Sequence, residues 1–147
     1  MISLEENEKN YIEKVFIEND KIIFKAAKVA GINRNKFAYL IKKYGIEKRI
    51  KDVSDELHNR IIKAVEAYGH NEDILYENSR GKGALIKYFA FIYLYKNMFV
   101  ELKGISERYK IVDFKISATI NKYQAMIEKD KNVRLNFEKF CSFANNS

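Results

Sequence analysis

The chain has 147 residues, 47% of them hydrophobic, a net charge of +7, no proline and only six glycines. That length accommodates one compact domain or two small ones with real apolar cores, and the scarcity of breakers beside abundant Lys, Glu, Ile and Leu predicts helices throughout. Cys141 is the one cysteine, which excludes an intramolecular disulfide and suits a reducing, intracellular setting.

Ser3 with Glu6 three residues on has the form of a capping box. Leu4, Tyr11, Ile12, Val15 and Phe16 then recur at helical spacing to about Asn19, and Asn19-Asp20 forms a turn. A second helix is expected over about 21–30, where the small Ala26 and Ala27 let a neighbour approach. Gly31 ends it as a left-handed cap. Asn33 caps a third helix over about 34–43, and Gly45 closes that helix with Lys42 and Lys43 in its last turn, where cations suit the dipole. Residues 46–53 form a basic connector, read as a helical extension or as an arm along phosphates.

Ser54, followed by Asp55 and Glu56, opens a helix whose Leu57, Ile61, Ile62, Val65 and Tyr68 share one face and which ends at Gly69. Asn71 caps a short helix over 72–76. Residues 77–83 read as a polar loop with two basic residues, Arg80 and Lys82. An aromatic-rich core helix is expected from about Ala84 to Gly104. Its apolar stretch, Ala84 to Leu102, is broken by Lys87 and Lys96 and is too short between them to span a bilayer. No signal-peptide pattern opens the sequence. Ser106 starts a short helix turning Ile105, Tyr109 and Ile111 inward. After a turn near Val112-Asp113, a longer helix runs from Phe114 to about Asp130, with Ile116, Ile120, Tyr123 and Ile127 on one stripe. A last helix, about 132–144, packs through Val133, Phe137, Phe140 and Cys141, and the phenylalanines around Cys141 make it a buried structural thiol. The expected architecture is all-α, in two units covering residues 1–51 and 54–147.

Charge is distributed unevenly along these elements. Residues 1–20 hold two lysines against six acids, whereas residues 21–51 hold ten basic residues against Glu47 alone. Residues 52–79 are acidic, and residues 80–122 carry nine basic residues against three acids. Each basic block coincides with a helix, turn, helix pattern, and a uniformly solvated surface would not need that segregation.

Residues 24–46, with Ala26, Ala27, Gly31, Ile32, Asn33, Arg34, Leu40, Lys42, Lys43, Tyr44 and Gly45 as the matching positions, closely resemble the C-terminal helix-turn-helix of the Fis family of bacterial DNA-binding proteins. The resemblance implies that Asn33 and Arg34, opening the second helix, are the base-reading positions. The chain departs from that family at Lys36, Ala38 and Tyr39. Residues 57–130 carry a more distant resemblance to the C-terminal DNA-binding domain of the bacterial replication initiator DnaA, through Ile62 to Gly69, Glu72 to Leu75, Ser79-Arg80, and then Ala90, Tyr93 and Leu94. That resemblance implies a minor-groove role for Arg80, with Lys82 beside it. At the place of that family's Asp-His-Ser/Thr-Thr signature stands Val112-Asp-Phe-Lys-Ile-Ser117. The initiator's ATPase module and a phosphate-binding Gly-Lys-Ser/Thr loop are both missing.

The expected function is therefore double-stranded DNA binding, in a bacterium or phage, serving transcriptional regulation. Arg34 suits guanine and Asn33 adenine in the major groove. Asn35, Lys36, Tyr39, Lys42 and Lys43 complete that helix surface. Arg80 and Lys82, and Lys115, Ser117, Thr119, Asn121 and Lys122 on the second candidate helix, are the further DNA-binding candidates. Each has a plainer reading: Asn33 as a cap alone, Arg80 and Lys82 as an ordinary loop, the residues after 114 as a solvated helix face. His58 and His70 have no second ligand at useful spacing, no nucleophile, base or acid-pair arrangement emerges, and neither a metal, a cofactor nor catalysis is expected. Homodimerisation would supply a second half-site. The rivals are a replication-linked accessory role and a structural or adaptor protein, such as a phage particle component, whose basic faces meet acidic protein surfaces. The expected location is the cytoplasm, at the nucleoid.

Overall fold

The computed structural model describes residues 3–77 and 81–146, with the backbone alone at Asp113 and Phe114. Among the described residues there are eight α-helices: α1 Leu4–Glu18, α2 Ile23–Ala30, α3 Arg34–Lys43, α4 Asp55–Ala67, α5 Lys82–Ile92, α6 Leu102–Tyr109, α7 Asp113–Lys129 and α8 Lys131–Asn145. The protein is all-α; the extended pairing among the described residues is one isolated parallel bridge, Ile50 to Val100. No helix among these residues is long and apolar enough to cross a membrane.

The chain divides into two compact units, Met1–Arg49 and Ile50–Ser147. The boundary thus falls before Ile50 rather than after residue 51. The amide of Ile50 donates to the Phe99 carbonyl at 2.8 Å, and the amide of Glu101 donates back to Ile50 at 2.8 Å. Val53 is buried in the second unit's core. The connector is therefore not a helical extension, and its last residues are not a free arm. They are an extended segment tied to the turn that precedes α6.

Unit 1 is built on Ile12, Val15 and Phe16 of α1, Ala26 and Ala27 of α2, and Phe37, Leu40 and Ile41 of α3, with Ile46 closing the base. The alanines are at most 3% exposed, so α2 seats against its neighbours through side chains that hold nothing apart. Leu4 and Tyr11, expected on the buried stripe, are 87% and 51% exposed. The buried side of α1 begins at Ile12: Leu4 lies two turns ahead of it, and Tyr11, about 100° round the helix from Ile12, falls at the edge of the stripe. The second helix starts at Ile23, not Lys21, because Asp20 and Lys21 adopt left-handed backbone (φ 61° and 55°) in closing α1.

Unit 2 has the larger core. Phe89, Phe91, Tyr93 and Leu94 are fully buried, packed with Ile61, Val65 and Leu75 and with Tyr109, Ile116, Ile120 and Phe140. The aromatic run is core, as its spacing implied, but it is not one helix to Gly104. After Ile92 it widens into a π-turn over Tyr93–Asn97, leaves helical geometry, and passes Phe99 at φ 57°. No proline or glycine marks this break. Pairing with Ile50 rewards an extended residue at Val100, and that tertiary bond outweighs local propensity. Gly104 lies inside α6, buried, where a Cβ would overlap the carbonyl oxygen of Lys51 and stand 3.2 Å from Asp52 Cα. Ser106 is likewise internal, its hydroxyl donating to the Ile111 carbonyl at 2.6 Å. The expected loop is shortened too: α5 begins at Lys82, and residues 72–75 form a 3-10 turn capped by Asn71. Around Cys141, Phe140 is buried whereas Phe143 is 38% exposed.

Candidate nucleic-acid interface

The turn between α2 and α3 is set by three local bonds. Gly31 takes φ 71°, and the amide of Ile32 reaches back to the Ala27 carbonyl at 3.1 Å while Gly31 donates to Lys28 at 3.3 Å. That pairing is the Schellman closure that a left-handed residue permits. The Asn33 side-chain oxygen then accepts from the Asn35 amide at 2.7 Å, satisfying one orphan donor at the start of α3. The far end is closed the same way, with Gly45 at φ 62°, Ile46 donating to Ile41 at 3.0 Å and Gly45 to Lys42 at 3.2 Å.

With Phe37, Leu40 and Ile41 buried, the helix has a single outward face. It carries Asn35, Lys36, Tyr39, Lys42 and Lys43, all exposed, with Arg34 exposed in the first turn and Asn33 at the cap. Tyr39 is 62% exposed at the centre of this surface. With Arg34 and these three lysines, the face thus carries four cations with no ion pair to a described residue. The C-terminal end of α3 is anchored to α1: the Tyr44 hydroxyl donates to Glu8 Oε2 at 2.7 Å, and Lys43 Nζ stands 5.2 Å from the Tyr44 ring. The Glu8 hydrogen bond, with some burial and the nearby carboxylates, pushes the Tyr44 phenol up to about 12.

Sequence reasoning missed Lys25 and Lys28, which lie exposed on α2 with Phe24 and Val29, 61% and 66% exposed. The signal was present, since both lysines belong to the first basic block, but the emphasis on α3 passed over them.

The second set of candidates does not form one surface. Arg80 lies outside the described residues. Lys82 is exposed in the first turn of α5 and borders a shallow groove with Lys122 and Tyr123. On α7, Lys115 and Lys122 are exposed seven residues apart on one flank, while Asn121 is exposed on the other. Ser117 and Thr119 are half-buried beside the Ile116 and Ile120 stripe, and the Thr119 hydroxyl is spent on the Lys115 carbonyl at 2.8 Å. Lys122 Nζ sits 5.7 Å from the Tyr123 ring, itself stacked on Tyr88 at 5.0 Å. Lys115 and Lys122 thus share one flank of α7, with Lys82 across the groove from Lys122.

Two buried polar side chains of unit 2, His58 and Lys87, find their partners within the fold. His58 is buried, its Nδ1 2.8 Å from the Tyr109 hydroxyl and its Nε2 3.2 Å from Glu72. Lys87 is buried and donates to the Glu77 carbonyl at 2.7 Å; desolvation first, and then Lys115, lower its pKa. No cluster of three His, Cys, Asp or Glu able to hold a metal occurs among the described residues. No family model matches the chain, and no curated protein and no solved structure matches it.

Proposed function

We propose that the chain is a double-stranded DNA-binding protein of bacterial or phage origin, serving transcriptional regulation, whose unit 1 docks α3 in the major groove. The observation that carries this reading is the outward face of α3. It presents a cap asparagine, an arginine in the first turn and three unpaired lysines on a helix whose opposite side is locked into a core. A major groove admits one such helix, N-terminal residues to the base edges. Arg34 is the bidentate donor for guanine. Asn33 has one lone pair of its oxygen engaged in capping, which leaves the second lone pair and the amide hydrogens for a base. Lys36, Lys42 and Lys43 take phosphates, with Lys25 and Lys28 on the preceding helix. Lys115 and Lys122 add sequence-independent affinity from unit 2. The resemblance of residues 24–46 to the Fis helix-turn-helix supports the same docking.

The test is duplex selection followed by binding of Arg34→Ala to the selected and to random duplexes. The variant should lose about 1–3 kcal/mol on the selected site and little on random DNA. Equal losses on both would remove base reading from Arg34. A protein that keeps an acidic protein partner, and binds no DNA, after loss of Asn33 and Arg34 would be an adaptor.

A further inference from the structure

Unit 2 contains a cleft of about 280 Å³ between the end of α4, the first turns of α5 and the middle of α8. Its lining includes Leu85 and the fully buried Phe89, with the Tyr68 ring beside them. The Tyr68 hydroxyl is fixed by donation to the Asn136 carbonyl at 2.8 Å, so the aromatic wall does not swing. Three polar residues belong to the same lining: Lys82, His70 and Asn136. None of the three has a side-chain hydrogen bond or ion pair to a described residue, and no acid lines the cleft.

A concavity with apolar walls and a few polar groups in its lining is the usual form of a small-molecule site, and the volume of about 280 Å³ falls just below the usual range of about 300–1,000 Å³. An ammonium group in a lining whose described residues include no acid favours an anion. Aromatic walls of fixed orientation select a planar apolar body. We infer that this cleft binds a compact aromatic monocarboxylate, its carboxylate on Lys82 with His70 and Asn136 beside it and its ring against Phe89, Leu85 and Tyr68. The site lies wholly in unit 2, and the inference does not rest on the DNA-binding reading of α3.

The experiment is isothermal titration of the full chain with phenylacetate, with phenylacetamide as the neutral isostere, combined with NMR shifts of the phenylalanine and tyrosine rings. Phenylacetate should bind saturably and shift the rings of Tyr68 and Phe89. The amide, and phenylacetate on Lys82→Met, should each bind about tenfold or more weakly, the loss expected of a charged hydrogen bond; Lys82→Arg should recover most of it. Leu85→Trp, which fills the cleft from a half-buried position, should abolish binding with the fold intact by circular dichroism. Absence of saturable binding would overturn the inference. So would equal affinity for acid and amide, unchanged affinity in Lys82→Met, or ring shifts confined to other parts of the chain.

Discussion

Gly104→Ala sets helix propensity against tertiary packing. Gly104 is the third residue of α6, and by helix propensity alone an alanine there should stabilise the protein by about 1 kcal/mol. The surroundings predict the reverse. A Cβ would overlap the Lys51 carbonyl oxygen and stand 3.0 Å from its carbon. Those are backbone atoms, and the segment carrying them cannot withdraw freely. Ile50 is held by two 2.8 Å bonds to the 99–101 turn, Val53 is buried, and the Val53 carbonyl accepts from Arg108 at 3.2 Å. Overpacking of this kind costs about 1–3 kcal/mol, and releasing the bridge forfeits about 1 kcal/mol per hydrogen bond. The net expectation is a loss of about 1–3 kcal/mol. For a unit of this size that lowers Tm by several degrees per kcal/mol, on the order of 5–15 °C in all. Thermal melts followed by circular dichroism, with tyrosine emission as a second probe, measure it directly. A variant melting at or above the wild type would refute the packing argument and leave propensity in charge.

Two further outcomes follow from ionisable groups. Burial pushes the Cys141 thiol up to about 11, against a smaller opposing effect of the 3.4 Å contact from Asn97. Disulfide-exchange reagents should therefore label it slowly in the native chain at neutral pH and promptly in denaturant, and fast native labelling would contradict its placement. Tyr44 titrates near 12 in the folded state against an ordinary 10.0. The stabilisation from its neutral phenol is thus complete below pH 10 and is lost as pH rises through about 12. Glu8→Gln should return that phenol toward its ordinary value in an NMR titration, and an unchanged midpoint would remove Glu8 as the cause.

What the sequence reveals and what it hides separate along physical lines. The bounds of α3, its asparagine cap and both glycine closures are legible because each is decided within a few residues: Asn33 bonds two positions ahead, and Gly31 and Gly45 supply left-handed backbone on the spot. The stripes on α4 and α7 are legible for the same reason. The break after Ile92 is not, since it is imposed by Ile50, more than forty residues earlier, on a run with no breaker of its own. Gly104 was misread as a helix end for the same cause: it is there for the backbone of Lys51. The exposure of Leu4 and Tyr11 depends on where along and around α1 the core lies, which periodicity alone does not report. On α3, residue type and spacing picked out residues that the fold leaves exposed. On α7 they grouped five residues that the helix distributes over different sides, with Ser117 and Thr119 drawn toward the core.

If the cationic face of α3 engages duplex DNA as proposed, fluorescence anisotropy with random duplex DNA across a salt series will show it, with the wild type compared against Lys36→Ala/Lys42→Ala/Lys43→Ala. The wild type should lose affinity steeply with salt, and the triple variant should bind more weakly with a slope shallower by about three released counterions. No binding by the wild type at low salt, or an unchanged slope in the triple variant, would contradict it.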